Sequence, residues 1–238
     1  MGLDIYVGPL TRYYLGDWET VVQRYGREHG ISVNVVRPPD QQNEGETKLS
    51  ADEVLEVVTH WRSELTASLG ANLSEPLGWP ESAEGEYFTD KPAWDGYGNL
   101  ALLAAYDEHP NLEPPKIAAK DFGSDAAWKA STAEGFRSRY KNILTLELWL
   151  PSRFSFVFKA PDVAGKELWI GSSVALLEEL RILNDSTVKA NREQLIYRRR
   201  ENFEPGESFE KASSFGLAMF LELAEKSVLL NSPMKMDY

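Results

Sequence analysis

Phe154-Ser155-Phe156-Val157-Phe158-Lys159-Ala160-Pro161-Asp162-Val163-Ala164-Gly165-Lys166-Glu167-Leu168-Trp169-Ile170 carries the reading of the fold. Phe154, Phe156 and Phe158 alternate with Ser155, Val157 and Lys159, the period of a strand. The stretch Ala160 to Gly165 has turn chemistry, and Leu168-Trp169-Ile170 resumes a β pattern. The segment therefore predicts an antiparallel hairpin. A helix is expected at once afterwards, from Ser173 as N-cap to Asn184, with Val174, Leu177, Leu180 and Leu183 on its inner side.

Upstream, Tyr140 to Leu150 fits a strand from 145 onward or a buried helix end. Downstream, Glu207 to Leu230 carries Leu217, Phe220, Leu221, Ala224 and Val228 at helical spacing. At the other end of the chain, Leu3, Ile5 and Val7 alternate with Asp4 and Tyr6, which predicts a half-buried strand stopped by Gly8-Pro9. A short helix capped by Asp17, with Trp18, Val21, Val22 and Tyr25 inward, is expected to end at Gly30. Ile31, Val33 and Val35 read as a second strand, compatible with a parallel βαβ unit. A polar loop, 40–48, follows.

Ser50 and Glu53 form a capping box, and Val54, Val57, Val58, Trp61, Leu65 and Leu69 mark one face of the helix it opens. Glu53, Glu56, His60 and Glu64 mark a wetter face, and Gly70 closes the helix. Residues 71–95 read as a long irregular loop. Another helix is expected from Tyr97 to His109, and a short one near Trp128 capped by Ser124. The sum is an α+β fold, helix-rich, with one mixed or antiparallel sheet. A single domain over 1–238 is expected, with 110–123 as the place for a subdomain boundary.

Composition narrows the function classes. Apolar residues make up 42% and aromatic ones 11%, enough for a sizeable core. There is no cysteine, so disulfides and thiol catalysis are excluded. The apolar runs are too short to cross a bilayer, and the N-terminus has no signal-peptide pattern, so a cytoplasmic location is expected. Net charge is −12, which argues against bare nucleic acid or an anionic membrane as partner.

That charge is concentrated. Residues 40–95 hold thirteen Asp and Glu against Lys48, Arg62 and Lys91, a net of −10. Within them, 78–97 interleaves acids with large flat side chains. Trp79, Glu84, Glu86, Tyr87, Asp90, Trp94 and Asp95 are the expected binding residues, arranged to dock a basic protein. The carboxylates would steer encounter, and the aromatics would serve as anchors. Tyr197-Arg198-Arg199-Arg200 is the basic run, and its expected role is a helix face pairing with acids, the 40–95 segment among them.

Other chemistry is weakly signalled. Gly96-Tyr97-Gly98-Asn99-Leu100-Ala101 has the spacing of a dinucleotide loop but no strand ahead of it, and Asp95 would repel a phosphate. The three histidines are too dispersed for a metal site, so neither metal nor cofactor is expected. Gly171-Ser172-Ser173 lacks the second glycine of a nucleophile elbow. Two alternatives to the binder remain. One is a hydrolase acting on carbohydrate, with Glu84, Glu86, Asp90 and Asp95 as its acids and Trp79 and Trp94 as platforms. The other is a helix-rich scaffolding protein with no catalytic site, in which Trp79 and Trp94 are fully buried.

The opening Met1-Gly2-Leu3-Asp4-Ile5-Tyr6-Val7-Gly8-Pro9-Leu10-Thr11-Arg12-Tyr13-Tyr14 resembles that of uncharacterised bacterial proteins to which no activity attaches, and implies no substrate or catalytic residue. In composition the chain also resembles bacterial immunity proteins, which are small and acidic and mask the active sites of basic toxins. That resemblance implies an inhibitor role.

Overall fold

A computed structural model describes residues 2–33, 49–133, 137–201 and 206–238. Its centre is one mixed sheet of six strands: β1 (Asp4–Val7), β2 (Phe88–Asp90), β3 (Leu148–Leu150), β4 (Phe158–Pro161), β5 (Glu167–Ser172) and β6 (Met234–Asp237). The spatial order is β2-β1-β6-β3-β5-β4. All neighbours are antiparallel except β3 and β5. With the helices around it, this is the expected α+β fold with a mixed sheet.

Helices cover both faces of the sheet. On one side lie α4 (Ala93–Glu108), α6 (Lys141–Leu144), α7 (Ser173–Leu183) and α9 (Phe209–Leu229), packed on Leu3, Ile5, Val7, Trp149, Met234 and Met236. On the other, α1 (Leu10–Leu15), α3 (Ala51–Leu69) and the loop residues Leu77 and Trp79 cover Leu148, Leu150, Leu168 and Ile170. Strand β1 is consequently buried on both faces, where alternation predicted a half-buried one. Its polar members Asp4 and Tyr6 point into the second layer and need partners there.

The predicted hairpin is present as β4 and β5, registered from Phe158 opposite Ile170 to Pro161 opposite Glu167. Asp162 builds its turn by accepting from the amides of Ala164 and Lys166, at 3.0 and 2.9 Å. The strand starts later than expected, because Phe154 and Phe156 leave the ladder and gather their rings against Phe158. The capping box of Ser50 and Glu53 also forms, opening α3, which Gly70 closes. Val57 faces solvent rather than the core.

Several local expectations are corrected. Thr20, not Asp17, caps α2 (Val21–Glu28), because Gln23 completes a capping box with it; Val22 and Tyr25 are exposed. Residues 31–33 are not strand, while Val35 and the 40–48 loop lie outside the described residues. No βαβ unit involves β1, whose neighbours β2 and β6 are both antiparallel. Helix α4 begins at Ala93 rather than Tyr97, and the supposed loop ahead of it contains β2. Asp125 rather than Ser124 caps α5 (Ala126–Ser131). Ser172 rather than Ser173 caps α7, and Ser208 caps α9. The 140–150 ambiguity resolves into both alternatives, α6 followed by β3. Strand β6, central in the sheet, was not anticipated.

Residues 110–123 connect α4 to α5 and are tied at two points. Ile117 bridges to Ser208, and Asn99 of α4 bonds both the amide and the carbonyl of Ala119.

Candidate binding surface

The predicted binding residues do not form one site. The stretch from Leu77 to Asp90 runs over α1 and enters the sheet as β2, and several of its side chains answer a neighbour. Trp79 is 5% exposed and packs edge-on against Trp61. Arg62 donates to its carbonyl at 2.6 Å and lies over its ring. Glu81 accepts from the amides of Leu10 and Thr11, at 3.2 and 2.8 Å, and from the Trp79 indole. One carboxylate thus satisfies free amides in the first turn of α1 and fixes the loop to that helix. Trp79 thus pins the loop to the body.

Tyr87 stacks on Tyr6, with ring centres 5.8 Å apart, and the Arg12 guanidinium lies over the Tyr87 ring, 4.4 Å from its centre. Its hydroxyl accepts from the Glu19 amide. Arg12 also donates to Gly85, at 2.8 Å, which holds the loop tip down. At that tip Glu84 and Glu86 remain exposed.

Asp90 is buried and committed. Arg199, on α8 (Arg192–Arg200), reaches it through Nε and Nη2, at 2.8 and 2.7 Å, and extends Nη1 to Glu222 of α9 at 2.5 Å. Among the described residues, the expected pairing of the basic run with the acidic segment is present through Arg199. Trp94 and Asp95 lie in the first turn of α4. Trp94 is half-buried against Tyr97 and Tyr238, and Asp95 is half-buried as well. The full burial of Trp94 that the scaffolding alternative required is not seen.

Beneath α1 lies a polar layer that the sequence did not flag. Tyr14 donates to Asp162 at 2.8 Å, and Lys235 of β6 reaches the same oxygen at 3.2 Å. Tyr13 donates to Asp237 at 2.6 Å. Burial lowers the pKa of Lys235, against the pull of Asp162. Burial likewise raises that of Asp4, against the opposing effect of Lys91, whose ammonium lies 3.4 Å away. The opening residues 3–14 are thus the wall and lid of a buried polar layer. Only the Tyr13-Tyr14 pair hinted at it, being two aromatics with hydroxyls that burial obliges to find acceptors.

Within 49–95 the exposed acidity lies mainly on α3. Asp52, Glu53, Glu56 and Glu64 face solvent along its outer side, joined by Glu75 after the helix. His60 pairs with Glu64 at 3.2 Å. The two described cations of the segment are both drawn inward, Arg62 to Trp79 and Lys91 to Asp4. Among the described residues no three His, Asp or Glu side chains converge as metal ligands, and no helix is long and apolar enough to cross a membrane. Comparison of the chain with models of protein families, with curated proteins and with solved structures returned no match.

Proposed function

We propose that the protein is an acidic binding protein that docks a basic protein partner, an inhibitor or immunity role being the concrete form. One observation carries this reading. Seven of the ten acids of 49–95 stay in solvent, while the cations that might neutralise them are engaged elsewhere, Arg62 with the Trp79 carbonyl and Lys91 with Asp4. Of the acids in that span, Glu81 and Asp90 are spent on Leu10, Thr11 and Arg199. Asp52, Glu53, Glu56, Glu64, Glu75, Glu84 and Glu86 remain to set up a field that steers a cation inward.

The exposed acids support a docking face on the outer side of α3 together with the Glu84–Glu86 tip, rather than on the aromatic loop. Trp79 drops out as an anchor, and Tyr87 and Trp94 contribute only partly exposed rings. The hydrolase alternative gains nothing from the arrangement. Asp90 is locked by Arg199, and Glu84 and Glu86 stand in open solvent rather than across a cleft from a second acid.

The test is retention of a basic protein from native lysate at low salt by the wild type, beside two neutralised variants. One combines Asp52→Asn, Glu56→Gln and Glu64→Gln; the other combines Glu84→Gln and Glu86→Gln. A basic protein held by the wild type and lost from either variant supports the reading. Equal retention by all three removes it.

A further inference from the structure

Helices α3 and α8 sit at opposite edges of the sheet. Helix α3 is tied to the edge strand β4, where the Trp61 indole donates to the Pro161 carbonyl at 2.8 Å. Helix α8 is tied to the other edge strand, β2, through Arg199 and Asp90. Six strands at the usual spacing put those edges about 24 Å apart, so the two helices do not meet within one chain.

Their outer stripes are complementary. Arg192, Ile196 and Arg200 follow one another at four-residue spacing on α8 and are all exposed, so the stripe is basic at both ends and apolar between. The acids beside this run, Glu193 and Glu201, line the depression toward α9 on the opposite flank. Among the described residues Arg192 and Arg200 have no carboxylate partner, unlike Arg199. On α3, Glu56 and Glu64 are eight residues apart, about 12 Å along the axis, as are Arg192 and Arg200 on α8. Val57 and His60 lie between the two acids. Ile196 is 41% exposed and Val57 42%, so each stripe offers an apolar side chain to the other.

We infer that α8 of one copy of the chain docks on α3 of a second copy, with Arg192 and Arg200 against Glu56 and Glu64 and Ile196 seated on Val57. Pairing α3 with α3 or α8 with α8 would set like charges together, so the contact runs head to tail. One helix on one helix is a small interface, and the net charge of −12 opposes approach at long range, so the association is weak. It leaves α3 free in dilute solution. This occupant of α3 is distinct from the foreign basic partner proposed above and is tested on purified chain alone, so either assignment can fail without the other.

Sedimentation equilibrium of the purified chain in about 0.1 M salt, which screens the long-range repulsion, tests this. The weight-average mass of the wild type is expected to rise with concentration up to about 0.5 mM, with a Kd of about 0.1 mM. The variant combining Arg192→Glu and Arg200→Glu is expected to stay monomeric, and so is the variant combining Glu56→Arg and Glu64→Arg. An equimolar mixture of the two is expected to associate again, because each then offers the other an oppositely charged stripe. All four positions are exposed, and association in the mixture requires both variants to be folded. A wild type that stays monomeric, either variant associating like the wild type, or a mixture that stays monomeric would overturn the assignment.

Discussion

Glu81 and Glu84 are acids three positions apart in one loop, with opposite assignments. Glu81 takes hydrogen bonds from Leu10, Thr11 and Trp79, whereas Glu84 is exposed. Glu81→Ala strands three donors at a partly buried site and is expected to cost about 2 kcal/mol in urea unfolding. Glu84→Ala is expected to change stability by less than about 0.5 kcal/mol. A second residue-scale effect comes from Glu179 on α7. It is buried and accepts from the amide and side chain of Asn142, at 2.8 and 2.5 Å. Desolvation pushes its pKa up to about 8 despite those bonds. The native state therefore keeps a proton that the unfolded chain has already lost. The resulting stability is fully present below about pH 4.5, declines as pH rises, and is gone above about 8. Wild type is expected to lose up to roughly 5 kcal/mol across that window relative to Glu179→Gln, read as the difference in their urea midpoints at each pH.

At the scale of elements, α4 and α9 pack closely at glycines. A Cβ at Gly216 would lie 2.2 Å from the carbonyl of Gly96, and one at Gly98 would lie 2.4 Å from Phe122. The Gly96-x-Gly98 spacing that resembles a dinucleotide loop is thus a packing device: its glycines sit inside a helix and let a second helix and a ring come close. Gly216→Ala must push two helices apart and is expected to cost about 1 to 3 kcal/mol, measured by chemical denaturation. Elements with a strong local signal were legible in the sequence. The Ser50–Glu53 capping box and the Phe158–Ile170 hairpin both depend on neighbours in the chain. Those set by distant partners were not. Strand β2 exists because Phe88, Thr89 and Asp90 lie against β1, and β6 because Met234 to Asp237 fill the gap between β1 and β3. Short strands of mixed polarity, with methionine rather than β-branched residues, carry no periodic signature of their own.

For the whole molecule, the distribution of acids was legible but their fates were not. The sequence shows where carboxylates fall and cannot show that Asp90 meets Arg199 across more than a hundred residues, or that Glu81 caps α1. Within 49–95 the structure divides the acids into a few internal ties and a larger outer group on α3, at Glu75 and at the Glu84–Glu86 tip. Surface charge of one sign raises encounter rates and does so less as salt screens it, over a Debye length of about 10 Å at 0.1 M. The most direct measurement is the salt dependence of partner retention on the immobilised chain, loaded with native lysate and eluted by a salt gradient. The account predicts that a basic protein elutes at moderate ionic strength from the wild type and earlier from the variant neutralised at Asp52, Glu56 and Glu64. Retention that is insensitive to salt, or the same for both chains, would contradict it.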